Sequence, residues 1–141
     1  MPLLNYTTSI AVEKTAGEIM KLLTRAGAIQ MLTDYTNGEL SAIAFALPSV
    51  RGGANTYRLP VDPKPVEAVL RKQKVERRYQ SPEQAARVAW RITKDWIEAQ
   101  LAIIETQMVS ADQVFLPYML NGGRTLYEWY VDQQLALGPK S

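Results

Sequence analysis

Residues 29–47 read IQMLTDYTNGELSAIAFAL. Two β-prone runs, Ile29 to Tyr35 and Leu40 to Leu47, flank the pair Asn37-Gly38. Both turn residues tolerate the positive φ that a type I′ hairpin turn requires. Ile43 and Phe45 fall on one face of the return strand. Pro48, which has no N–H to give to a ladder, stops it. The chain therefore contains a sheet, and its architecture can be read outward from this hairpin.

Upstream, Asn5 to Val12 alternate, with Tyr6, Thr8, Ile10 and Val12 on one side, and this predicts a strand. Thr15-Ala16-Gly17-Glu18 matches a capping box, and Ile19, Leu22, Leu23 and Ala26 follow at helical spacing. Gly27 is placed to end that helix in the left-handed conformation. Downstream, the Gly52-Gly53 loop leads to a shorter strand around Tyr57-Arg58-Leu59. The expected N-terminal half is thus β-α-β-β-β, a small, mostly antiparallel sheet with a helix on one face.

The C-terminal half reads as helical. Asp62-Pro63 opens a short helix that turns Val66, Val69 and Leu70 inward, with Pro where its missing N–H costs nothing. Lys72 to Gln80 reads as a charged loop. Ser81-Pro82-Glu83-Gln84 then starts the longest helix, expected to reach about Met108. One apolar stripe on it holds Ala85, Ala89, Ile92, Trp96, Ala99 and Ile103; a second holds Ala86, Trp90, Ile97, Leu101, Ile104 and Met108. Such a helix is covered on more than one side. It either lies at the centre of the domain or packs on a second copy, so self-association as a homodimer is expected. Its polar strip offers Arg91–Asp95 and Lys94–Glu98 pairs at i,i+4. A short helix from Val114 to Leu120, a turn at Asn121-Gly122-Gly123 and a last helix from Thr125 to about Leu135 complete the chain. No linker, repeat or low-complexity segment interrupts residues 1–141, so the prediction is one α+β domain.

Composition narrows the function. The 141 residues are 47% hydrophobic and 21% charged, enough apolar content for a core. The chain has no cysteine and no histidine. Disulfides, thiolate metal sites, Ser-His-Asp and Cys-His catalysis and most zinc and haem ligation are therefore excluded. The fourteen carboxylates are scattered, with no D-x-D, H-E-x-x-H or EF-hand pattern. Neither a P-loop nor a G-x-G-x-x-G run occurs. A non-enzymatic protein with no cofactor and no metal is the expectation. No apolar run approaches the ~20 residues of a membrane span, and the N-terminus has no secretory pattern, so a cytoplasmic location is expected.

Charge is distributed unevenly. Residues 1–50 carry −1, residues 51–94 carry +7 and residues 95–141 carry −4. Within the basic middle, Arg71, Lys72, Lys74, Arg77 and Arg78 lie beside Tyr79, and Arg87, Arg91 and Lys94 lie on the polar strip of the long helix. Lys and Arg neutralise phosphates, and Tyr79 could stack on a base. If loop and strip are continuous, they form one nucleic-acid or nucleotide-binding patch. The bland alternative is a solvated charged loop. Arg51, Gly52, Gly53 and Arg58 form a secondary candidate, in which the glycine backbone could approach a phosphate; the plainer reading is a loop between strands. The aromatic group Phe115, Tyr118, Tyr127, Trp129 and Tyr130 is either core or a protein-contact surface.

Asn5-Tyr6-Thr7-Thr8, the Lys14-Thr15-x-x-Glu18-Ile19 start, the Ala89-Trp90-Arg91-x-x-Lys94-Asp95-Trp96-x-x-Ala99-Gln100 segment, and Phe115-Leu116-Pro117-Tyr118 with Thr125-Leu126-Tyr127-Glu128 resemble a small-protein family of bacteriophage and prophage genomes. The resemblance implies a phage context and no particular activity. It leaves two functional expectations. One is an accessory protein that binds nucleic acid or a nucleotide. The other is a protein-binding modulator of a host machine, such as RNA polymerase or an anti-phage defence complex.

Overall fold

The structure, a computed structural model, describes the fold of residues 1–137. Its elements are α1 (Val12–Arg25), β1 (Gln30–Thr36), β2 (Glu39–Pro48), β3 (Ala54–Arg58), α2 (Pro63–Lys72), α3 (Pro82–Glu105), α4 (Ala111–Phe115), β4 (Leu120–Asn121), β5 (Arg124–Thr125) and α5 (Leu126–Leu137). Short 3-10 turns lie at Arg77–Tyr79 and Leu116–Tyr118. This is an α+β fold: a three-stranded antiparallel sheet in the order β1-β2-β3, a small β4-β5 hairpin, and helices. Among the described residues no helix is long and apolar enough to cross a membrane.

The hairpin forms as its turn residues demand. Asn37 and Gly38 both take positive φ, at 53° and 78°. On the core face of the sheet, Phe45 stands opposite Met31 and Tyr57, and Ile43 opposite Thr33. An irregularity follows: Asp34 pairs with Ala42 but Tyr35 with Leu40, leaving Ser41 as one extra residue in β2. That extra residue resets the alternation, so Leu40 is buried like Ile43 and Phe45 although it lies an odd number of positions from each. Between the extra residue and Pro48, the opposite face of β2 carries Ala42, Ala44 and Ala46.

The expected strand at residues 5–12 does not form. Asn5 takes φ 65°, and turns close at Leu3–Tyr6 and Asn5–Thr8. The segment is held to α3 by side chains: Asn5 Nδ2 donates to Asp95 at 2.8 Å, and buried Gln84 donates to the carbonyls of Tyr6 (2.8 Å) and Thr8 (2.9 Å). Side-chain amides here take the place of a neighbouring strand, which a short alternating run cannot announce. The architecture is thus α-β-β-β followed by helices, rather than β-α-β-β-β. The capping box at Thr15 fails for a related reason. α1 begins three residues earlier, at Val12, and Thr15 is fully buried within it.

α3 runs through the middle of the molecule, packed on α1 and α2 along its length and on α4 near its end. Its first half is buried on several sides, with Gln84, Ala85, Val88, Ala89, Trp90, Thr93 and Ile97 all enclosed. This position encloses Ala85 and Ala89 of one apolar stripe and Trp90 and Ile97 of the other within one chain, while Ala99 and Met108 stay exposed. The helix stops at Glu105, short of Met108, because Gln107 turns left-handed at φ 66°. The core joins α1 (Ile19, Leu23), the sheet (Ile43, Phe45, Tyr57), α3 (Trp90, Ile97) and Phe115 of α4. Phe115 meets Phe45 and Tyr57 at 5.4 Å and Trp96 at 5.8 Å between ring centroids. Such pairs add about 0.5–1.5 kcal/mol each beyond burial. They fix α4 on the sheet.

Candidate nucleic-acid interface

The basic segment between α2 and α3 is ordered by its own backbone. Asp62 caps α2 by accepting from the Lys64 N–H at 3.2 Å. At the far end Lys74 turns left-handed, φ 54°, and its N–H bonds the Arg71 carbonyl at 3.1 Å. The 3-10 turn Arg77–Tyr79 follows, closed by Tyr79 N–H to the Glu76 carbonyl at 2.8 Å. Gln80 donates back to the Val75 carbonyl at 2.6 Å. Gln73 accepts from the Leu3 N–H at 2.9 Å, tying the N-terminus to the same corner. The expected loop is therefore a compact double turn.

The candidate residues separate into two groups. Lys72, Lys74 and Arg77 are exposed and make no ion pair among the described residues. Arg78 is exposed, 3.3 Å from equally exposed Glu76, and its guanidinium lies 4.7 Å from the Tyr79 ring centroid. The second group is engaged with partners, Arg71 at the surface and the others half-buried. Arg71 clamps Glu67 with two hydrogen bonds, at 2.8 and 3.2 Å. Arg87 donates to Gln84 at 2.9 Å. Arg91, with its side chain only 15% exposed, reaches across to α1, where it meets Glu18 at 3.1 Å and Thr15 at 3.4 Å. Lys94, 16% exposed, pairs with Glu98 at 3.1 Å as its spacing predicts. The Arg91–Asp95 pair does not form; Asp95 holds Asn5 instead.

Loop and strip therefore do not make one continuous patch. Arg91 and Lys94 sit in the α1–α3 contact and its margin, and the cationic surface contracts to Lys72, Lys74, Arg77 and Arg78. Tyr79 is half-buried, edge-on to Tyr6 at 5.5 Å and covered by Arg78, so it braces the turn rather than offering a free face to a base.

The secondary loop is also a turn first. Gly52 N–H bonds the Ser49 carbonyl, Ser49 N–H bonds the Gly53 carbonyl, and Arg51 N–H bonds Ser49 Oγ at 3.3 Å. Both glycines take positive φ, 95° and 67°. Two of the amides a phosphate would need are thus already spent. Arg58 lies at the far end of β3, 3.3 Å from the Gly123 carbonyl and 3.7 Å from Glu128.

One polar cluster has no counterpart in the sequence reading. Asp112, in the first turn of α4, accepts from Tyr57 Oη at 2.7 Å, Ser49 Oγ at 3.0 Å and Asn55 Nδ2 at 3.2 Å. The Tyr57 hydroxyl, aided by Asn55, Ser49 and the Val50 N–H, holds the Asp112 carboxyl below its ordinary range. Burial, with the carboxylate beside it, pushes the Tyr57 phenol upward. The donors come from β3 and the end of β2, 55 to 63 residues away in sequence, and only the fold assembles them. Neutral donors alone hold the carboxylate, and the cluster acts as a clamp between α4 and the sheet.

A groove of about 940 Å³ opens between the end of α1, the end of β2, the second half of α3 and the start of α4. Leu22, Pro48, Leu101 and Ile104 give it apolar walls, and Glu98 and Glu105 face a single cation, Arg25, on its rim. That charge balance disfavours a nucleotide phosphate. No group of three or more His, Cys, Asp or Glu among the described residues could hold a metal ion. No protein-family model, no curated protein and no solved structure matches this chain.

Proposed function

We propose that the protein binds nucleic acid without catalysis, contacting the phosphate backbone through Lys72 at the end of α2 and Lys74, Arg77 and Arg78 on the double turn that follows. The observation that supports this is four exposed cations within seven residues on an ordered corner, three of them free of ion pairs among the described residues. An exposed cationic turn suits a polymer backbone better than a mononucleotide, which needs an enclosing pocket. Fluorescence anisotropy with labelled single-stranded DNA, duplex DNA and RNA at rising salt tests the reading. Affinity should fall steeply with salt, and each of Lys72→Ala, Lys74→Ala and Arg77→Ala should reduce the salt slope by about one. Unchanged affinity after charge reversal at Arg77 and Arg78 refutes the assignment.

A second reading has its own support. Tyr127 and Tyr130 on α5 are 59% and 58% exposed, with Leu116 and Trp129 nearby in sequence and also exposed. Tyr and Trp are enriched in interface hot spots, so this surface suits a protein-binding modulator, for which the phage resemblance suggests a host polymerase or defence complex. A partner retained in pull-downs after nuclease treatment, and lost with Tyr127→Ala and Tyr130→Ala, would favour it.

A further inference from the structure

The two long edges of the sheet are treated differently. β3 is shielded on its outer side, where Tyr57 bridges to Met119 and the β4–β5 hairpin follows. β1 packs closely on β2 alone, and six of its seven residues are exposed. Its sequence, QMLTDYT, has neither lysine nor proline, the usual guards of a bare edge, and a single charge at Asp34. Ile29, Leu32 and Tyr35 are 67%, 53% and 65% exposed along it.

We propose that β1 pairs antiparallel with β1 of a second copy of this chain, about a two-fold axis at Leu32. The register chooses the occupant. With Leu32 opposite its own counterpart, Ile29 faces Tyr35, Gln30 faces Asp34 and Met31 faces Thr33, each across the interface. The three exposed apolar side chains of each strand then meet apolar partners, and the one carboxylate meets an amide donor. Centring the axis on Asp34 would set two like charges together, which is destabilising. The alanine face of β2 continues beside Leu32 in both copies, giving one flat apolar strip across a six-stranded sheet. Such a contact is isologous and closes at two subunits. It involves seven strand residues a side, against the ~20–30 of a standard interface, so the dimer is reversible and depends on concentration.

The absence of cysteine makes the test clean. Directly opposed residues in an antiparallel pair lie ~4.5–5.5 Å apart between Cα atoms, within disulfide range. Leu32→Cys should therefore form an intermolecular disulfide readily under mild oxidation. Tyr35→Cys, whose counterpart would lie six residues away along the partner strand, or about 20 Å, should not. Light scattering on the unmodified chain should show mass rising from 15.8 kDa toward twice that value with concentration. Leu32→Lys, which opposes two ammonium groups on the axis, should hold the protein monomeric with an unchanged circular dichroism spectrum. Equal crosslinking at positions 32 and 35, or a monomer at every concentration, would overturn the proposal.

Discussion

Replacing Asp112 with alanine removes the shared acceptor of three side-chain hydrogen bonds. The Tyr57 hydroxyl belongs to a fully buried residue and cannot turn to water. Losing a charged acceptor there costs about 1.5–3 kcal/mol. Ser49 and Asn55 are half-buried and can rebond to solvent, adding about 0.5 kcal/mol each. The expected destabilisation is then roughly 2.5–4 kcal/mol. A domain of this size loses about 4 °C of Tm per kcal/mol, so the midpoint should fall by roughly 10–16 °C. Thermal melts followed by circular dichroism measure it. A double-mutant cycle with Tyr57→Phe isolates the pair, and a coupling of at least ~1 kcal/mol is expected because the groups touch. A fall of under 2 °C, or additive effects of the two substitutions, would refute the view that this cluster clamps α4 to the sheet.

The same pair sets two limits with pH. The Asp112 carboxyl is held below its ordinary range, so its contribution is full above about pH 4 and is lost as pH falls below that; in urea melts the gap to Asp112→Ala should shrink on acidification. Tyr57 is shifted upward, so its contribution is full below about pH 10 and is lost as pH rises beyond that; the alkaline loss should be absent in Tyr57→Phe. Arg91→Glu would place a second carboxylate against Glu18, and should lower stability by about 3–5 kcal/mol, whereas Arg77→Glu should leave the melting temperature nearly unchanged. Gly38→Ala puts a Cβ into a left-handed residue of the hairpin turn and should cost about 1–2 kcal/mol by chemical denaturation.

Local chemistry explains which elements could be read from the sequence. The Asn37-Gly38 hairpin, the Ser81 start of α3 and the Thr125–Glu128 capping box are all specified by residues within four positions of one another. The structure contains each, the last with reciprocal bonds of 2.8 and 3.1 Å. Residues 5–12 show the opposite case. Their period-2 pattern is correct, but Gln84 and Asp95, some eighty to ninety positions away, supply the partners, and the segment lies along α3 instead. The candidate interface divides on the same line. Lys72, Lys74, Arg77 and Arg78 stay at the surface because they cluster on one corner. Arg91 and Lys94 resembled them in charge and spacing, yet the carboxylate that engages Arg91 comes from α1, and composition cannot reveal it. The Asp112 clamp is wholly non-local, assembled from three segments of chain that share no motif.

α5 packs chiefly on the Leu116–Tyr118 turn and on β5, and reaches neither α1 nor the sheet with comparable contact. Its N-terminus is held by the Thr125–Glu128 box, by Arg124 paired with Asp132 and stacked 4.6 Å from the Trp129 ring, and by Trp129 donating to the Asn121 carbonyl at 3.0 Å. These are neighbours along the chain, so the hairpin and helix form a nearly self-contained unit. Cooperative opening follows such boundaries. Amide hydrogens of α5 should therefore exchange with solvent through partial opening, while those around Trp90, enclosed on every side, exchange only when the whole molecule unfolds. The protein thus carries two tiers of kinetic protection, and its aromatic surface stands on the less protected one.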